Sequence, residues 1–377
     1  MYKILRRILF LFTPETIHHI VLKLVILTKY LPITRSFIKW RFTYKDPSLE
    51  KEIFGIKFNN PIGLAAGLDK NGECYNQLAN FGFSFIEIGS ITPEAQPGNV
   101  KPRCFRLPKE SALINRMGIN NNGVKYTLKQ LKDEHPNIIV GGNISKGTLT
   151  PIENAGKDYE RSFALLYDFV DYFVINVSCP NVKDLAKLQD INALSDIIDR
   201  LLNLRRYYED YRPILIKVSP DIPKEHLDDI IETILISGID GIVATNTTND
   251  RSMLPPEEQQ RLKDIGNGGI SGQPLFKKSL SMVKYISNKT NGTLPIIGVG
   301  GIMTPEQAKE MLDAGASLIQ VYTGFIYNGP GFVKDILKYL VKEKVKENKL
   351  KENKLKEEKL QEEKNKKDII KEDKKNE

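Results

Sequence analysis

The sequence predicts an α/β protein built as a TIM (β/α)8 barrel. Apolar runs rich in Val and Ile recur eight times after Phe54, and helical patterns lie between several of them. Polar residues and glycines gather at the C-terminal end of every run, where parallel α/β folds place their functional groups. Eight β/α units favour a barrel over a doubly wound sheet.

The predicted elements follow one another in a regular order along the chain. A short hairpin, Glu52–Phe58, precedes the first strand and is expected to cover the bottom of the barrel. The eight predicted strands are Ile62–Gly67, Phe85–Ser90, Ile138–Asn143, Phe173–Cys179, Ile214–Ser219, Gly241–Thr247, Ile296–Ile302 and Leu318–Gly324. The helices predicted between them include Ala193–Tyr207, Lys224–Ser237, Pro274–Asn288 and Thr304–Ala314, and Val333–Val341 closes the globular part.

The fourth predicted strand ends in the most reactive group of the sequence. Its apolar part is followed by Ser178, Cys179, Pro180 and Asn181. A thiol can move a proton or attack carbon, and the flanking Asn176 and Asn181 can bind a planar, amide-rich ligand. The simpler alternative is a buried Cys that packs as a small hydrophobic residue. The strand end favours a catalytic Cys179.

The other strand ends predict a lining for one extended polar ligand. They contain Ala66, Gly67, Asp69 and Lys70; Ser90; Asn143; Lys217; Thr245, Asn246 and Thr247; Gly300 and Gly301; and Tyr322 and Thr323. Free backbone N–H groups after the seventh and eighth strands are the usual phosphate site of this fold. The alternative for the glycine pair is a tight turn.

Two strand-end lysines, Lys70 and Lys217, are costly to bury without a partner. In a barrel mouth they require an anionic or electron-rich ligand. Next to a reduced flavin, such a Lys stabilises developing negative charge. The alternative is a Lys that extends its amine to solvent or to an ion pair.

Composition limits the function classes. The net charge is +8, but residues 1–46 hold nine Lys/Arg against two Asp/Glu, so most of the excess lies in an N-terminal arm. No basic stripe with interleaved aromatics marks the barrel, which argues against nucleic acid. Three Cys without a CxxC pair and four His without a zinc motif predict no disulfide framework and no metal site.

The two ends of the chain differ from the barrel. Residues 1–45 form a basic, apolar arm with two predicted helices, the second capped by Thr13 and Pro14. Such helices suit an anionic membrane surface, or a hairpin packed on the protein; neither spans a bilayer. Residues 46–341 are the predicted barrel. Residues 342–377 hold 14 Lys and 11 Asp/Glu and predict a disordered or transiently helical tail.

A series of motifs resembles the dihydroorotate dehydrogenase family between about Thr13 and Val341. The motifs are NPIGLAAGLDKNGE, GSITPEAQPGNVKPRCFRLP, INRMGINNNG, NVSCPN, IKVSPD, TNTT, GGISGQPL, IIGVGGI and VYTGFIYNGP. The arm and the Pro97–Arg106 stretch are similar to the membrane-associated, quinone-using class 2 enzymes. In that class the arm forms the mouth of a quinone tunnel that leads to the flavin.

The resemblance implies a role for each matching residue. FMN would be bound by Ala66, Gly67, Leu68, Asp69, Lys70, Ser90, Asn143, Asn176, Lys217, Thr245, Gly272, Gly301, Tyr322 and Thr323. Dihydroorotate would contact Lys70, Asn115, Arg116, Met117, Gly118, Ile119, Asn176, Asn181, Asn246 and Thr247. The quinone path would be lined by His18, Arg103 and Tyr322.

One residue departs from the class 2 pattern. Class 2 enzymes usually have Ser at the position of Cys179, whereas the soluble class 1 enzymes have Cys. The expected base must remove a proton from C5 of dihydroorotate while C6 gives hydride to N5 of FMN. A thiol with a pKa near ~8.5 ionises far more readily than a hydroxyl does.

The resemblance therefore implies oxidation of (S)-dihydroorotate to orotate in pyrimidine biosynthesis, with electrons passing to a membrane quinone. It also implies a peripheral protein on the cytoplasmic side of the cell membrane. Oligomeric state, monomer or homodimer, stays open. The alternatives are a class 1 enzyme using fumarate or NAD, a tRNA-dihydrouridine-synthase-like flavoenzyme, and a membrane-surface scaffold.

Overall fold

A closed barrel of eight parallel strands forms the centre of the protein. The computed structural model describes residues 2–133, 138–178 and 191–373. The barrel strands are β3 (Ile62–Leu64), β4 (Phe85–Ile91), β7 (Ile139–Ile144), β8 (Tyr172–Asn176), β9 (Ile214–Val218), β10 (Gly241–Ala244), β12 (Ile296–Val299) and β13 (Leu318–Val321). Each pairs with the next in chain order, and β13 pairs with β3 to close the ring. The barrel predicted from the sequence is confirmed.

Most of the predicted strands extend further toward the C-terminus than the observed ones. β10, for example, ends at Ala244 rather than at Thr247, and β13 ends at Val321 rather than at Gly324. The polar residues at these ends leave the strand ladder and turn toward the mouth of the barrel. The error in the strand boundaries thus coincides with the functional edge of the barrel.

Alternation along the strands separates the barrel interior from the layer that faces the helices. In β9, Leu215 belongs to the inner cluster, whereas Ile214 and Ile216 pack toward the helices. The inner cluster is apolar at its base, where Phe85 and Tyr172 lie under the hairpin β1 (Lys51–Ile53) and β2 (Ile56–Phe58). The predicted hairpin therefore exists and packs its apolar side chains against the interior.

Two interior glycines make room for the large rings of that layer. A Cβ on Gly63 would lie 2.3 Å from the ring of Phe85, and one on Gly141 would lie 2.2 Å from that of Tyr172. Any side chain at these positions would displace a ring, because interiors are close-packed.

Helices cover the outside of the barrel and fill its loops. They are α4 (Tyr75–Leu78), α5 (Val124–Asp133), α6 (Ala155–Leu166), α7 (Ile191–Arg205), α8 (Lys224–Ser237), α9 (Gln259–Ile265), α10 (Phe276–Lys289), α11 (Pro305–Asp313) and α12 (Thr323–Asn328). The four predicted inter-strand helices correspond to α7, α8, α10 and α11 within a few residues. A second sheet, in the order β11 (Gly269–Gly272), β6 (Ala112–Asn115) and β5 (Cys104–Leu107), is antiparallel.

The N-terminal arm contains three helices rather than two. α1 (Tyr2–Leu9) and α2 (Pro14–Leu27) match the prediction, and the Thr13 side chain caps α2. The sequence analysis missed α3 (Pro32–Phe42), which begins with a Pro in its first turn. Among the described helices, none alone has the length and hydropathy of a membrane span; α2 with its 3₁₀ extension and α3 reach them only together, bent by 113°.

The last helix, α13, runs from Phe332 to Asp373. It therefore includes residues that the sequence analysis assigned to a disordered or transiently helical tail. Its first turns are buried against the barrel, and Lys309 on α11 forms an ion pair with Glu347 at 2.9 Å. Beyond that point its described side chains are exposed Lys, Glu, Asn and Leu. Lys and Glu are strong helix formers, which accounts for the continuous helix.

Candidate active site

One cavity of about 580 Å³ lies between the C-terminal ends of the barrel strands and the N-terminal arm. Its volume is in the range of small-molecule sites. Strand-end residues such as Asn143, Asn176 and Lys217 line its inner part. Apolar residues of α1 and α2, including Leu9 and Val21, line its outer part. The cavity therefore changes from polar to apolar between the barrel and the arm.

Glycines allow the backbone to approach closely at one wall of the cavity. Gly272 and Gly301 have φ values of 93° and 75°, which favour glycine. A Cβ on Gly301 would lie 2.3 Å from the backbone nitrogen of Phe276, the first residue of α10. Within the described residues, the buried Gly301 and Ile302 backbone N–H groups donate to no protein acceptor. This wall can accept an anion such as a phosphate.

A chain of hydrogen bonds connects three strand ends across the inner part of the cavity. The Ser90 hydroxyl donates to Oδ1 of Asn143, and Nδ2 of Asn176 donates to Oγ of Ser90 at 2.7 Å. Further along, Nδ2 of Asn246 donates to Oγ of Ser178 at 3.1 Å. These amides and hydroxyls match the donors and acceptors of a planar heterocycle.

A buried ion pair lies at the base of this polar surface. Nζ of Lys217 lies 3.2 Å from Oε1 of Glu87, whose side chain is fully buried. Nδ2 of Asn143 donates to the same oxygen at 2.7 Å, and Nε2 of Gln320 donates to Oε2 at 2.6 Å. The carboxylate is thus paired with one cation and two amides, as a buried charge requires.

The groups at the junction of barrel and arm are held in uncharged or less basic forms by burial. Burial lowers the pKa of Lys70 to about 8, and its Nζ donates to the carbonyl of Gly67 at 3.0 Å. Burial also lowers the pKa of His18 to about 3, and the charge of Lys70 adds to that effect. Burial raises the pKa of Cys104 and that of Tyr322. With His18, Cys104 and Tyr322 uncharged, the arm side of this junction favours a neutral, apolar ligand, whereas Lys70, with its pKa of about 8, keeps most of its charge at neutral pH.

Two arginines of the same segment differ in where they point. Arg106 lines the cavity, donates to the carbonyl of Phe12 at 2.6 Å and lies over the ring of Phe10. Arg103 does not line it: its guanidinium binds Glu15 at 2.8 Å and the carbonyl of Pro97 at 2.6 Å. Arg103 thus fastens the arm to the barrel, while Arg106 faces the cavity.

Comparison with known proteins identifies the family. The family model described as dihydroorotate dehydrogenase matches residues 48–343. The chain belongs to the dihydroorotate dehydrogenase family. It is 47% identical over 344 residues to a dihydroorotate dehydrogenase (quinone) of Christiangramia forsetii, covering 91% of this chain and 99% of the relative. It is 42% identical to a dihydroorotate dehydrogenase (quinone) of Coxiella burnetii, and the match covers 90% of this chain and 96% of that relative.

A solved structure of the family has the same fold. The ligand-free dihydroorotate dehydrogenase of Eimeria tenella superposes with a TM-score of 0.78 at 35% identity, covering 87% of this chain and 94% of the other. The chain thus matches these two quinone-type relatives over nearly their whole length. The chain is therefore a quinone-type member, and the class 1, RNA-directed and scaffold alternatives are not supported.

The cavity brings together most residues that the family resemblance implies. From the predicted FMN set it is lined by Ala66, Gly67, Leu68, Lys70, Ser90, Asn143, Asn176, Lys217, Thr245, Gly272, Gly301, Tyr322 and Thr323. From the substrate set it is lined by Lys70, Asn115, Met117, Gly118, Ile119, Asn176, Asn246 and Thr247, and from the quinone set by His18 and Tyr322.

Three predicted residues lie away from the cavity lining. Asp69 is buried, and its carboxylate accepts the backbone N–H groups of Glu73 and Cys74 at 2.8 Å each. Arg116 lies over the ring of Phe105 and donates to the carbonyl of Asn267 at 3.0 Å. Arg103 is the third. Asp69 and Arg116 therefore support the loops that carry their neighbours. Cys179 and Asn181 lie outside the described residues.

The residues present fit a flavin mononucleotide. The glycine wall suits its phosphate, the amide chain suits its ring, and the glycines at the wall leave no room for a side chain. The sequence analysis missed several lining residues. Gln320 lies within an apolar strand run, Cys104 and Arg106 share one face of β5, and Leu5 and Leu9 lie one turn apart on α1.

Proposed function

We propose that this protein oxidises dihydroorotate to orotate with bound FMN and delivers the electrons to a membrane quinone through its N-terminal arm. The observation that carries the proposal is a single cavity that joins a polar barrel mouth to an apolar arm. A polar substrate and an apolar electron acceptor need such different surroundings. The similarity to the quinone-type relative of Christiangramia forsetii covers 91% of this chain and 99% of that protein.

The inner part of the cavity supports FMN and substrate binding. When bound, the flavin supplies the acceptor for the hydride that leaves C6 of dihydroorotate. Gly272 and Gly301 leave space for the phosphate, and Asn143 and Asn176 offer amides to a planar ring. Lys70 and Asn246 line the same space and can hold the substrate carboxylate and ring.

The sequence supports Cys179 as the residue that takes the proton from C5. It follows β8, whose last residue, Asn176, lines the cavity, and Ser178 receives a hydrogen bond from Asn246. Proton removal at C5 and hydride loss at C6 create the double bond of orotate, so atoms and electrons balance. Asn181, two residues further, is proposed to bind the substrate ring.

An absorbance experiment tests cofactor and substrate together. Purified protein is expected to carry a flavin absorbance that is bleached by dihydroorotate without oxygen. Adding a soluble quinone should restore the absorbance, whereas fumarate and NAD should not. A protein without flavin, or one whose flavin dihydroorotate leaves oxidised, would contradict the proposal. Restoration by fumarate alone would contradict the quinone step only.

The arm supports a membrane surface as the source of the quinone. Its exposed apolar side chains include Ile4, Leu5, Ile8, Leu11, Phe12, Leu24, Leu27, Tyr30, Ile33, Phe37 and Trp40. Lys and Arg are interspersed with them, with Glu15 and Asp46 as the only acids in residues 1–46. Apolar area with basic edges binds anionic interfaces. We infer that this protein is a peripheral membrane protein.

Trp40 provides a direct test of membrane docking because it is the only tryptophan of the chain and is exposed on α3. Vesicles of anionic lipid should shift its fluorescence to shorter wavelength, and vesicles of zwitterionic lipid should do so less. Arg35→Glu with Lys39→Glu should weaken the anionic response. Unchanged fluorescence and no co-sedimentation with anionic vesicles would contradict peripheral binding.

A further inference from the structure

Glu87 occupies an unusual place for a carboxylate. It lies in β4 with the same inward parity as Phe85, one layer above the apolar base of the barrel and one layer below the cavity. Its side chain is fully buried, and its oxygens accept hydrogen bonds from Lys217, Asn143 and Gln320. Each of these three partners lines the cavity, whereas Glu87 does not.

The direction of these hydrogen bonds determines the polarity of the surface above. A carboxylate only accepts, so Asn143 must turn its amide N–H toward Glu87 and its Oδ1 toward the cavity side. That oxygen receives the hydroxyl of Ser90, and Ser90 in turn accepts from Asn176. An ionised Glu87 thus sets donor and acceptor positions along three strand ends.

The same carboxylate balances the charge of Lys217. Both side chains are almost fully excluded from water, 8% exposed for Lys217 and 0% for Glu87. One further titratable group of the described residues lies beside the pair: Tyr172, in the layer below, whose pKa is raised by burial and by the neighbouring Glu87. Glu87 is therefore the acid that balances the charge of Lys217.

We propose that Glu87 is a positioning residue that fixes the charge and orientation of the flavin-facing groups Lys217, Asn143 and Gln320. This inference rests on the proposed function, because it assigns the neighbouring cavity to the flavin. With Glu87 present, the pair adds no net charge beside the flavin. Without it, the Lys217 ammonium acts on the flavin unbalanced.

The test is the midpoint potential of the bound flavin. Glu87→Gln keeps the size of the side chain and removes its charge. Relative to the wild type, its potential should be more positive, because an unbalanced ammonium favours the reduced, more negative flavin. Glu87→Asp, which keeps the charge, should show no such difference.

Two further variants separate this effect from a general loss of structure. Glu258→Gln makes the same chemical change at a buried carboxylate outside the cavity lining and should keep the wild-type potential. Glu87→Gln combined with Lys217→Met removes both charges and should bring the potential back toward the wild-type value. A folded, flavin-loaded Glu87→Gln with the wild-type potential would overturn the proposal.

Failure of the single variant to fold is also informative. If Glu87→Gln cannot be recovered folded, charge balance requires the double variant to fold better than the single one. If the double variant is equally unfolded, the fold rather than the site needs the carboxylate, and the proposal fails. Bleaching of the wild-type flavin by dihydroorotate tests the proposed function separately, since it does not involve these variants.

Discussion

The guanidinium of Arg106 lies 4.4 Å from the centroid of the Phe10 ring and so joins the barrel to the N-terminal arm at the edge of the cavity. Arg106 comes from β5, and Phe10 follows α1. A cation over an aromatic face is stabilised electrostatically, more so where water is excluded. The contact places a fixed positive charge next to the apolar part of the cavity.

Arg106→Ala should impair the quinone step and spare the substrate step. The change removes the stacking on Phe10 and the hydrogen bond to Phe12, so the arm loses one of its fastenings. We expect the KM for quinone to rise about tenfold, as for loss of ~1–2 kcal/mol from a desolvated cation–π contact. Stopped-flow reduction by dihydroorotate should be unchanged. Arg161→Ala, which breaks an exposed pair with Glu94, is the control.

Cys104→Trp should block the path between barrel and arm. Cys104 lines the cavity and lies near Lys70 and Arg106. An indole at this position would fill part of the cavity and keep the quinone from its reacting position, so quinone turnover should fall about tenfold or more. Flavin content and bleaching by dihydroorotate should persist. Cys104→Ser, of similar size, should turn over normally; equal turnover of both variants would place the quinone path elsewhere.

Orotate binding should depend on the protonation of Lys70. Its pKa is lowered to about 8 by burial, and a bound carboxylate favours the charged amine. Above pH 8 the free protein must therefore take up a proton when orotate binds, and the dissociation constant should rise up to about tenfold per pH unit. Calorimetry at pH 8.5 in buffers of different ionisation heat measures that proton. Lys70→Arg should remove the uptake.

The barrel could be predicted because its strands are short, continuous apolar runs, and eight of them alternate with helical patterns along the chain. It also predicted most of the cavity lining, because parallel strands bring their C-terminal ends together. The ion pair and hydrogen bonds inside the barrel could not be predicted from the sequence in the same way. Glu87 stands in the run Phe85–Ile91 at an inward position, but only the closed ring brings Lys217 from β9 and Gln320 from β13 to it.

The assignment of Arg103 to the quinone path stays a prediction, but side-chain direction separates Arg103 from Arg106 in the structure. Cys104 and Arg106 share one face of β5 and both line the cavity. Arg103 precedes the strand and turns to Glu15 on α2. A resemblance to a motif with two arginines three residues apart does not distinguish them until the strand and its facing are known.

His18 should make the arm sensitive to acid. Its folded pKa of about 3 lies below the ordinary value of 6.5, so between these pH values the unfolded state binds more protons than the folded one. Stability therefore falls as pH decreases from 6.5 toward 3. His18→Leu should reduce this loss, as followed by Trp40 fluorescence during acid titration. His226→Leu, at an exposed position of α8, is the matched control and should lose stability with acid as the wild type does.

Substitution of Cys179 separates proton removal from binding. Cys179→Ala should bind dihydroorotate and reduce its flavin at least about 100-fold more slowly near neutral pH, the usual contribution of a general base. Cys179→Ser should retain part of the rate with a pH optimum shifted upward, because a hydroxyl ionises less readily than a thiol. The measurement is single-turnover bleaching across pH. A Cys179→Ala variant that bleaches at the wild-type rate would remove Cys179 from the mechanism and leave the rest of the site to supply the base.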